Sequence, residues 1–258
     1  DSSKVQDQLK GVQQLQATGG AFAAILAAGS VVTWGNPAYG GDSSEVQDQL
    51  KGVQQLQATG FAFAAILADG SVVTWGSPDD GGDSSDVQDQ LKGVQQVQAT
   101  RSAFAAILVD GSVVTWGSPA AGGDSSEVQG QLKGVQQLQA TERAFAAILA
   151  DGSVVTWGEP RFGGDSSDVQ DQLKSVQQIQ ATDGAFAAIL ADGSVVTWGK
   201  PDCGGDSSEV QDQLKGVQQL QATSRAFAAI LADGSVVTWG EPDFGGDSLV
   251  VAPQFSYV

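Results

Sequence analysis

The sequence contains no histidine, no methionine and a single cysteine, Cys203. Without histidine there can be no Ser-His-Asp or Cys-His catalytic group, and no histidine-based metal site. A lone cysteine excludes an internal disulfide, a zinc finger and an iron–sulfur cluster. Carboxylates remain the only candidate catalytic groups, and we predict no enzymatic activity, no cofactor and no metal site.

Positive charge is scarce, with 12 basic residues against 30 acidic ones and a net charge of -18. Such a surface repels the phosphates of nucleic acids and anionic membranes, so we predict neither as a partner. The longest apolar runs, such as Ala21–Ala28, are far too short to span a membrane. Apolar residues nevertheless make up 41% of the chain, which is enough for a packed core.

The chain begins at Asp1 and carries no initiator methionine. Simple removal of methionine requires a small second residue, and aspartate is a poor one. The sequence therefore indicates a cleaved leader or a fragment of a longer protein. A cleaved leader would suit an organelle such as a plastid, or the secretory route.

An internal repeat organises the whole chain. Tryptophan recurs at positions 34, 75, 116, 157, 198 and 239, always 41 residues apart. Asp-Ser-Ser and phenylalanine recur with the same period. We predict one domain over residues 1–246, made of repeats 1–41, 42–82, 83–123, 124–164, 165–205 and 206–246, followed by a tail at 247–258.

Repeat 2 illustrates the local signals. Its opening Asp42–Glu45 has capping-box spacing, and Val46 and Leu50 lie four apart, which predicts a short helix docked by these two side chains. The following segment 53–58 is typical of a strand with a bend near its second and third residues. Asp69-Gly70 then predicts a hairpin between two apolar runs.

The hairpin is apolar on both faces. A two-residue turn would place Phe63 opposite Gly76 and Ala64 opposite Trp75, whereas a glycine bulge would shift this register by one. In either register both faces remain apolar, so each sheet needs a neighbour on each side. We therefore predict an all-β repeat protein, a six-bladed β-propeller with three strands and a short helix per unit; the alternative is an open β-solenoid or superhelical stack.

The repeat resembles the RCC1-type repeat. The resemblance rests on the Val53–Thr59 segment, the Ala62–Leu67 strand, the run Asp69–Gly76 and the loop Gly81–Asp83, and it covers all six repeats. It implies a propeller. The present repeat differs in its shorter length, in Phe63 where that family usually has histidine, and in its number of repeats. This short form is similar to the predicted repeat proteins of dinoflagellates.

The recurring carboxylates have a structural interpretation. Asp42 and Glu45 suit a helix cap, and Asp69 suits a turn, where repeat 1 has Ala28 without any other change. A calcium site at each Gly-Gly-Asp-Ser-Ser corner is the alternative, although the motif lacks the alternating ligands of known calcium loops. The tryptophans favour core packing over an aromatic ligand site.

The repeats vary chiefly in two places, the pair of residues that follows the first strand and the four residues that follow Trp-Gly; almost everything else is constant. All four arginines lie there, and arginine and aromatic residues commonly anchor protein interfaces. Drift in exposed loops is the alternative explanation. The candidate protein-binding residues are Tyr39, Phe61, Arg101, Arg143, Arg161, Phe162, Arg225 and Phe244.

These observations predict a non-catalytic scaffold that binds a protein partner through its variable loops. One alternative is a peripheral accessory subunit of a large organellar complex, for which the dinoflagellate resemblance and the missing methionine would suit a plastid photosystem. Another is an ion- or carbohydrate-binding propeller.

Overall fold

A computed structural model describes residues 2–3 and 5–247; the tail residues 248–258, part of the predicted segment 247–258, lie outside the described residues. Each repeat forms one three-stranded antiparallel sheet whose strands pair in chain order. The strands are β1 (Val12–Ala17), β2 (Ala21–Leu26), β3 (Val31–Gly35), β4 (Val53–Ala58), β5 (Ala62–Leu67), β6 (Val72–Gly76), β7 (Val94–Ala99), β8 (Ala103–Leu108), β9 (Val113–Gly117), β10 (Val135–Ala140), β11 (Ala144–Leu149), β12 (Val154–Gly158), β13 (Val176–Ala181), β14 (Ala185–Leu190), β15 (Val195–Gly199), β16 (Val217–Ala222), β17 (Ala226–Leu231) and β18 (Val236–Gly240).

The chain divides into two compact units, residues 1–138 and 139–258, and the boundary falls within β10. The single domain predicted over residues 1–246 stays a prediction.

The predicted short helix is wrong in type. In the described residues the helices are three-residue 3-10 helices, at Pro37–Tyr39, Pro78–Asp80, Ser85–Val87, Pro119–Ala121, Pro160–Phe162, Pro201–Cys203, Gln211–Gln213 and Pro242–Phe244. In repeat 2, Val46 N–H donates to Ser43 O (3.0 Å) and Leu50 N–H to Gln47 O (3.3 Å), so the segment is a run of tight turns. So short a segment gains too little from α-helical hydrogen bonds to hold that form, whereas the turns still bury Leu50, as predicted.

The first strand of repeat 2 has the predicted bend, a bulge between Val53 and Gln55. The hairpin, in contrast, has the bulged register: Phe63 pairs with Trp75, not with Gly76. Gly70, with φ +78, allows the extra turn residue that produces this shift. Its N–H donates to Leu67 O, and Leu67 N–H donates to Ser71 O, both at 2.9 Å.

The corrected register places each phenylalanine and tryptophan side by side. The rings of Phe63 and Trp75 stack at 5.2 Å with an interplanar angle of 22°. We call this side of a sheet, with Leu56 and Val73, the leading face. The other side, which carries Ala64, Ile66 and Val72 in repeat 2, is the trailing face.

The core consists of layers between adjacent repeats. In the first compact unit, the trailing face of repeat 1, including Ile25 and Val31, packs with Phe63, Val73 and Trp75 of the leading face of repeat 2. The same arrangement joins repeats 2 and 3, and, in the second compact unit, repeats 4 and 5 and repeats 5 and 6. Both faces of an interior sheet are therefore buried, which confirms the interpretation of the two-sided apolar hairpin.

A glycine corner completes each layer. Trp75 Nε1 donates to Gly40 O at 3.0 Å, and Trp239 Nε1 donates in the same way to Gly204 O. Gly40 has φ +85, and a Cβ added there would lie 2.6 Å from the Phe63 ring. The corner therefore requires glycine both for its backbone conformation and for the close approach of the ring.

We expect Trp116→Ala to lower the free energy of unfolding by about 3–5 kcal/mol, because it removes a buried ring from a packed layer. Trp116 is 4% exposed and donates to Gly81 O. Trp34→Ala is the matched control, since Trp34 occupies the same position in repeat 1 but is only half-buried, and it should cost less. Urea denaturation measures both, and equal losses would contradict the layer as the source of stability.

Ser175 stands where repeat 2 has Gly52, and it is the non-glycine residue with positive φ, +57, in the described part of the chain. This conformation costs an L-residue about 1–2 kcal/mol, partly offset by the greater entropy that glycine loses on folding. Ser175→Gly should therefore raise the melting temperature. The converse Gly52→Ser should lower it, because a Cβ there has room, 3.7 Å from Ala68 Cβ, and only the strain remains. Changes of the same sign would contradict this account.

Candidate protein-binding face

The two variable segments of a repeat meet at one edge of its sheet, as predicted. The first variable loops are residues 19–20, 60–61, 101–102, 142–143, 183–184 and 224–225; the second are 36–39, 77–80, 118–121, 159–162, 200–203 and 241–244. In repeat 2, Ser77 N–H donates to Phe61 O (3.1 Å) and Thr59 Oγ1 to Asp80 O (3.1 Å). Antiparallel pairing puts the Asp-Gly turns at the opposite edge.

Backbone hydrogen bonds connect the first variable loops of adjacent repeats. Gly19 N–H donates to Gly60 O (2.8 Å) and Gly60 N–H to Arg101 O (2.7 Å) in the first compact unit. Glu142 N–H donates to Asp183 O and Asp183 N–H to Ser224 O, both at 2.9 Å, in the second. Because these hydrogen bonds join main-chain atoms, the side chains of the loops can change without loss of the bonds between repeats.

The second variable loop is a 3-10 helix that starts with proline and ends at a left-handed glycine. Its third residue points toward the layer to a degree that depends on its size and place. Ala121 and Cys203 are buried there, Tyr39 and Phe162 are partly buried, and Phe244 is 41% exposed in the last repeat. Burial also raises the pKa of the Cys203 thiol, which keeps it protonated and unreactive.

Cations lie over aromatic rings on this face. In the first compact unit the Arg101 guanidinium sits 5.8 Å from the centre of the Phe61 ring, which in turn lies 5.2 Å from Tyr39. In the second unit, Arg143 and Lys200 both lie over Phe162, at 5.4 and 5.7 Å. Such cation–π pairs hold each cation in a defined position over its ring.

Arg225 lies 5.2 Å from the centre of the Phe244 ring and completes the set. Arg161, in contrast, lines a groove with Asp165 and Asp168. Two further groups belong to the face although they are not among the candidate residues: Lys200, and Asp183, whose pKa is raised by burial and by nearby Glu142 and lowered less by Arg225. Both residues lie in the variable loops, so the comparison of the repeats could have identified them as candidates.

The recurring carboxylates act as caps and turn formers. Asp42 Oδ1 accepts from Ser44 N–H at 2.9 Å. Asp151 Oδ1 accepts from both Ser153 Oγ (2.6 Å) and Ser153 N–H (2.9 Å), and these bonds lower the pKa of Asp151. Across the described residues, no group of three or more Cys, Asp or Glu side chains is placed to hold a metal ion.

Solved structures with the same fold are RCC1-like. The chain superposes on yeast RCC1 (Prp20) bound to Kap60 with a TM-score of 0.58 and 17% identity, covering 94% of this chain and 72% of that one. Prp20p of Saccharomyces cerevisiae, studied with Gsp1p and histones, gives 0.56 and 17%, over 92% and 74%. The ectodomain of the Physcomitrella patens receptor kinase CR4 gives 0.50 and 16%, over 89% and 62%.

No family model and no curated protein matches the sequence. The structural likeness establishes the fold: this is an all-β repeat protein of six three-stranded sheets, with the RCC1-like architecture that the repeat motif predicted. In the part of the chain that the structure describes, no helix is long and apolar enough to cross a membrane.

The turn carboxylates give a direct test of their structural role. Ser153→Ala removes the hydroxyl that most lowers the pKa of Asp151, so that pKa should rise toward its ordinary value. The stability that a depressed pKa contributes is present above the unfolded-state pKa and is lost as pH falls through the folded-state pKa. The variant should therefore lose less stability on acidification through that window. Carboxyl NMR titration measures the pKa of Asp151, and the pKa of Asp192 in the same variant is the unchanged control.

Proposed function

We propose that the protein is a non-catalytic scaffold that binds another protein through the face formed by its two variable loops. The observation that carries the proposal is that most of the sequence differences, and all of the arginine–aromatic pairs described above, lie at one edge of the sheets. On a chain with a net charge of -18, such paired cations are the natural anchors for a partner with acidic groups.

The pairing of charge with rings favours recognition over drift. Arg101, Arg143 and Arg225 each lie over a ring from a variable position. Two of these rings come from the second loop of the same repeat as the arginine, at Phe162 and Phe244. The third, Phe61, comes from the first loop of the preceding repeat. Independent drift in loops gives no reason for three of the four arginines to face aromatic side chains.

The structural neighbours support a binding role at the level of fold. Yeast RCC1 (Prp20) was crystallised bound to Kap60, and Prp20p was examined for binding to Gsp1p and histones. These partners are proteins, and we infer the same broad class here without assigning any of them. The prediction of no nucleic-acid partner rests on the acidic charge.

The proposal of a non-catalytic role rests on the chemistry of the side chains. The turn and cap aspartates are held by serine hydrogen bonds that favour the ionised form, which is the opposite of what a general acid at neutral pH requires. Within the described residues Cys203 is buried, with a raised pKa, so it is a poor nucleophile.

The charge of the face can be reversed at single sites. Arg143→Glu and Arg225→Glu should weaken binding of a purified partner by about tenfold or more each, and added salt should weaken wild-type binding more than variant binding. Crosslinking with mass spectrometry on the native assembly identifies that partner, and a defined large complex would point to the accessory-subunit form of this role.

The matched controls reverse charge at the opposite edge: Asp151→Lys and Asp192→Lys lie in the Asp-Gly turns and should leave both affinity and its salt dependence unchanged. Arg161→Glu separates the ring-paired arginines from the arginine in the neighbouring groove. Crosslinks concentrated on the Asp-Gly turns, or unchanged affinity in Arg143→Glu and Arg225→Glu, would overturn the proposed face.

A further inference from the structure

The leading face of repeat 1 is exposed, unlike the corresponding faces that a preceding repeat covers. Leu15 is 53% exposed and Phe22 is 42% exposed, whereas their counterparts Leu56 and Phe63 in repeat 2 are fully buried. Val12, at 43%, follows the same pattern. Repeat 1 thus exposes an apolar surface. The corresponding residues of repeat 2 are buried in the layer between repeats 1 and 2.

The trailing face of repeat 6 is exposed in a complementary way. Ile230 is 38% exposed and Val236 is 53% exposed, against 5% for Ile189 and 1% for Val195 in repeat 5, where repeat 6 covers them. This face has the sequence of a surface that accepts the phenylalanine and tryptophan of a following repeat.

The glycine corner of repeat 6 is also open. At Gly204, a Cβ would lie 2.6 Å from the Phe227 ring of the following repeat, whereas at Gly245 no atom of the described residues lies within 4 Å. Trp239 Nε1 donates to Gly204 O, but Trp34 Nε1 has no acceptor among the described residues and Gly245 O has no donor there. The Trp34 N–H of repeat 1 is therefore a donor, and the Gly245 carbonyl of repeat 6 an acceptor, of the kind that pair between adjacent repeats.

We propose that the leading face of repeat 1 in one copy binds the trailing face of repeat 6 in a second copy, head to tail. The contact reproduces the layer that already joins repeats 1 and 2, 2 and 3, 4 and 5, and 5 and 6, with Phe22 entering beside Gly245 and Trp34 donating to its carbonyl. This self-association is separate from the proposed binding face, which lies at the sheet edges.

A head-to-tail contact is favoured over pairing of like faces. The leading face carries the protruding Phe–Trp pair, and the trailing face carries small alanines and the open corner, so each fits the other and neither fits itself. Such a heterologous interface joins further copies into longer species or a closed ring. The net charge of -18 opposes assembly, so salt should strengthen it by screening.

Two end variants provide the decisive experiment. Phe22→Asp blocks the leading face and Val236→Asp blocks the trailing face; each alone should be monomeric in sedimentation velocity, with association weakened by about tenfold or more. Mixed in equal amounts, they should form 1:1 dimers and nothing larger, because only one intact face of each kind remains. Val109→Asp, at a turn residue that is 66% exposed, is the control and should assemble like the wild type.

Circular dichroism melts confirm that each variant is folded before assembly is measured. A wild type that stays monomeric at every protein and salt concentration overturns the proposal. So does dimerisation of either end variant alone, which would mean like faces pair. A variant ending at Asp247 completes the set: if only this variant assembles, the residues 248–258 cover the face instead of a second copy, and the proposal fails for the intact chain.

Discussion

The contact between the Phe–Trp pair of one repeat and the glycine corner of the preceding repeat is the constraint on which the structure depends. Because a ring edge approaches the glycine so closely, no side chain fits at Gly40 or Gly204, and the tryptophan N–H needs the glycine carbonyl. A sheet that buries both faces takes part in two such contacts. A change in one repeat must therefore be matched by its neighbours, which explains why the core positions are nearly the same in all six repeats.

This constraint acts on the layers between repeats, which stabilise the fold, and much less on the variable loops, which carry the candidate binding residues. The layers hold the fold, and the first variable loops add main-chain hydrogen bonds that do not depend on side-chain identity, as the series Gly19, Gly60 and Arg101 shows. Side chains in the loops can thus change at little cost in free energy of unfolding. Tyr39 and Phe162 also pack against the core, whereas Phe244 in the last repeat is 41% exposed, so the aromatic loop residues contribute to packing to different degrees.

Most of the fold could be predicted from the sequence because periodicity and two-sided apolarity are properties of residue order alone. The bend near Gln54 and the meeting of the two variable loops were also predictable, since antiparallel pairing dictates the latter. The hairpin register was not, because Asp69-Gly70 fits both a two-residue turn and a bulged one, and only the packing of Phe63 beside Trp75 decides between them. The helix was overestimated because the capping signal also suits a run of 3-10 turns.

The candidate face was predictable in position but not in detail. Comparison of the repeats located the loops, yet it could not show that the third residue of the second loop turns partly inward, as Tyr39 and Phe162 do. It also could not show that Lys200 shares the Phe162 ring with Arg143. Both facts depend on the neighbouring repeat, which residue order within one repeat does not describe.

Near identity of the repeats also limits how a partner can bind. Every interior layer presents nearly the same residues, so a ligand that recognised the layers, the caps or the Asp-Gly turns would meet several similar sites along the chain. Most of the differences between one repeat and another lie in the variable loops. In the proposed role, a partner held at one defined position would therefore depend chiefly on contacts with these loops, where the arginine–ring pairs at Arg101, Arg143 and Arg225 involve different rings.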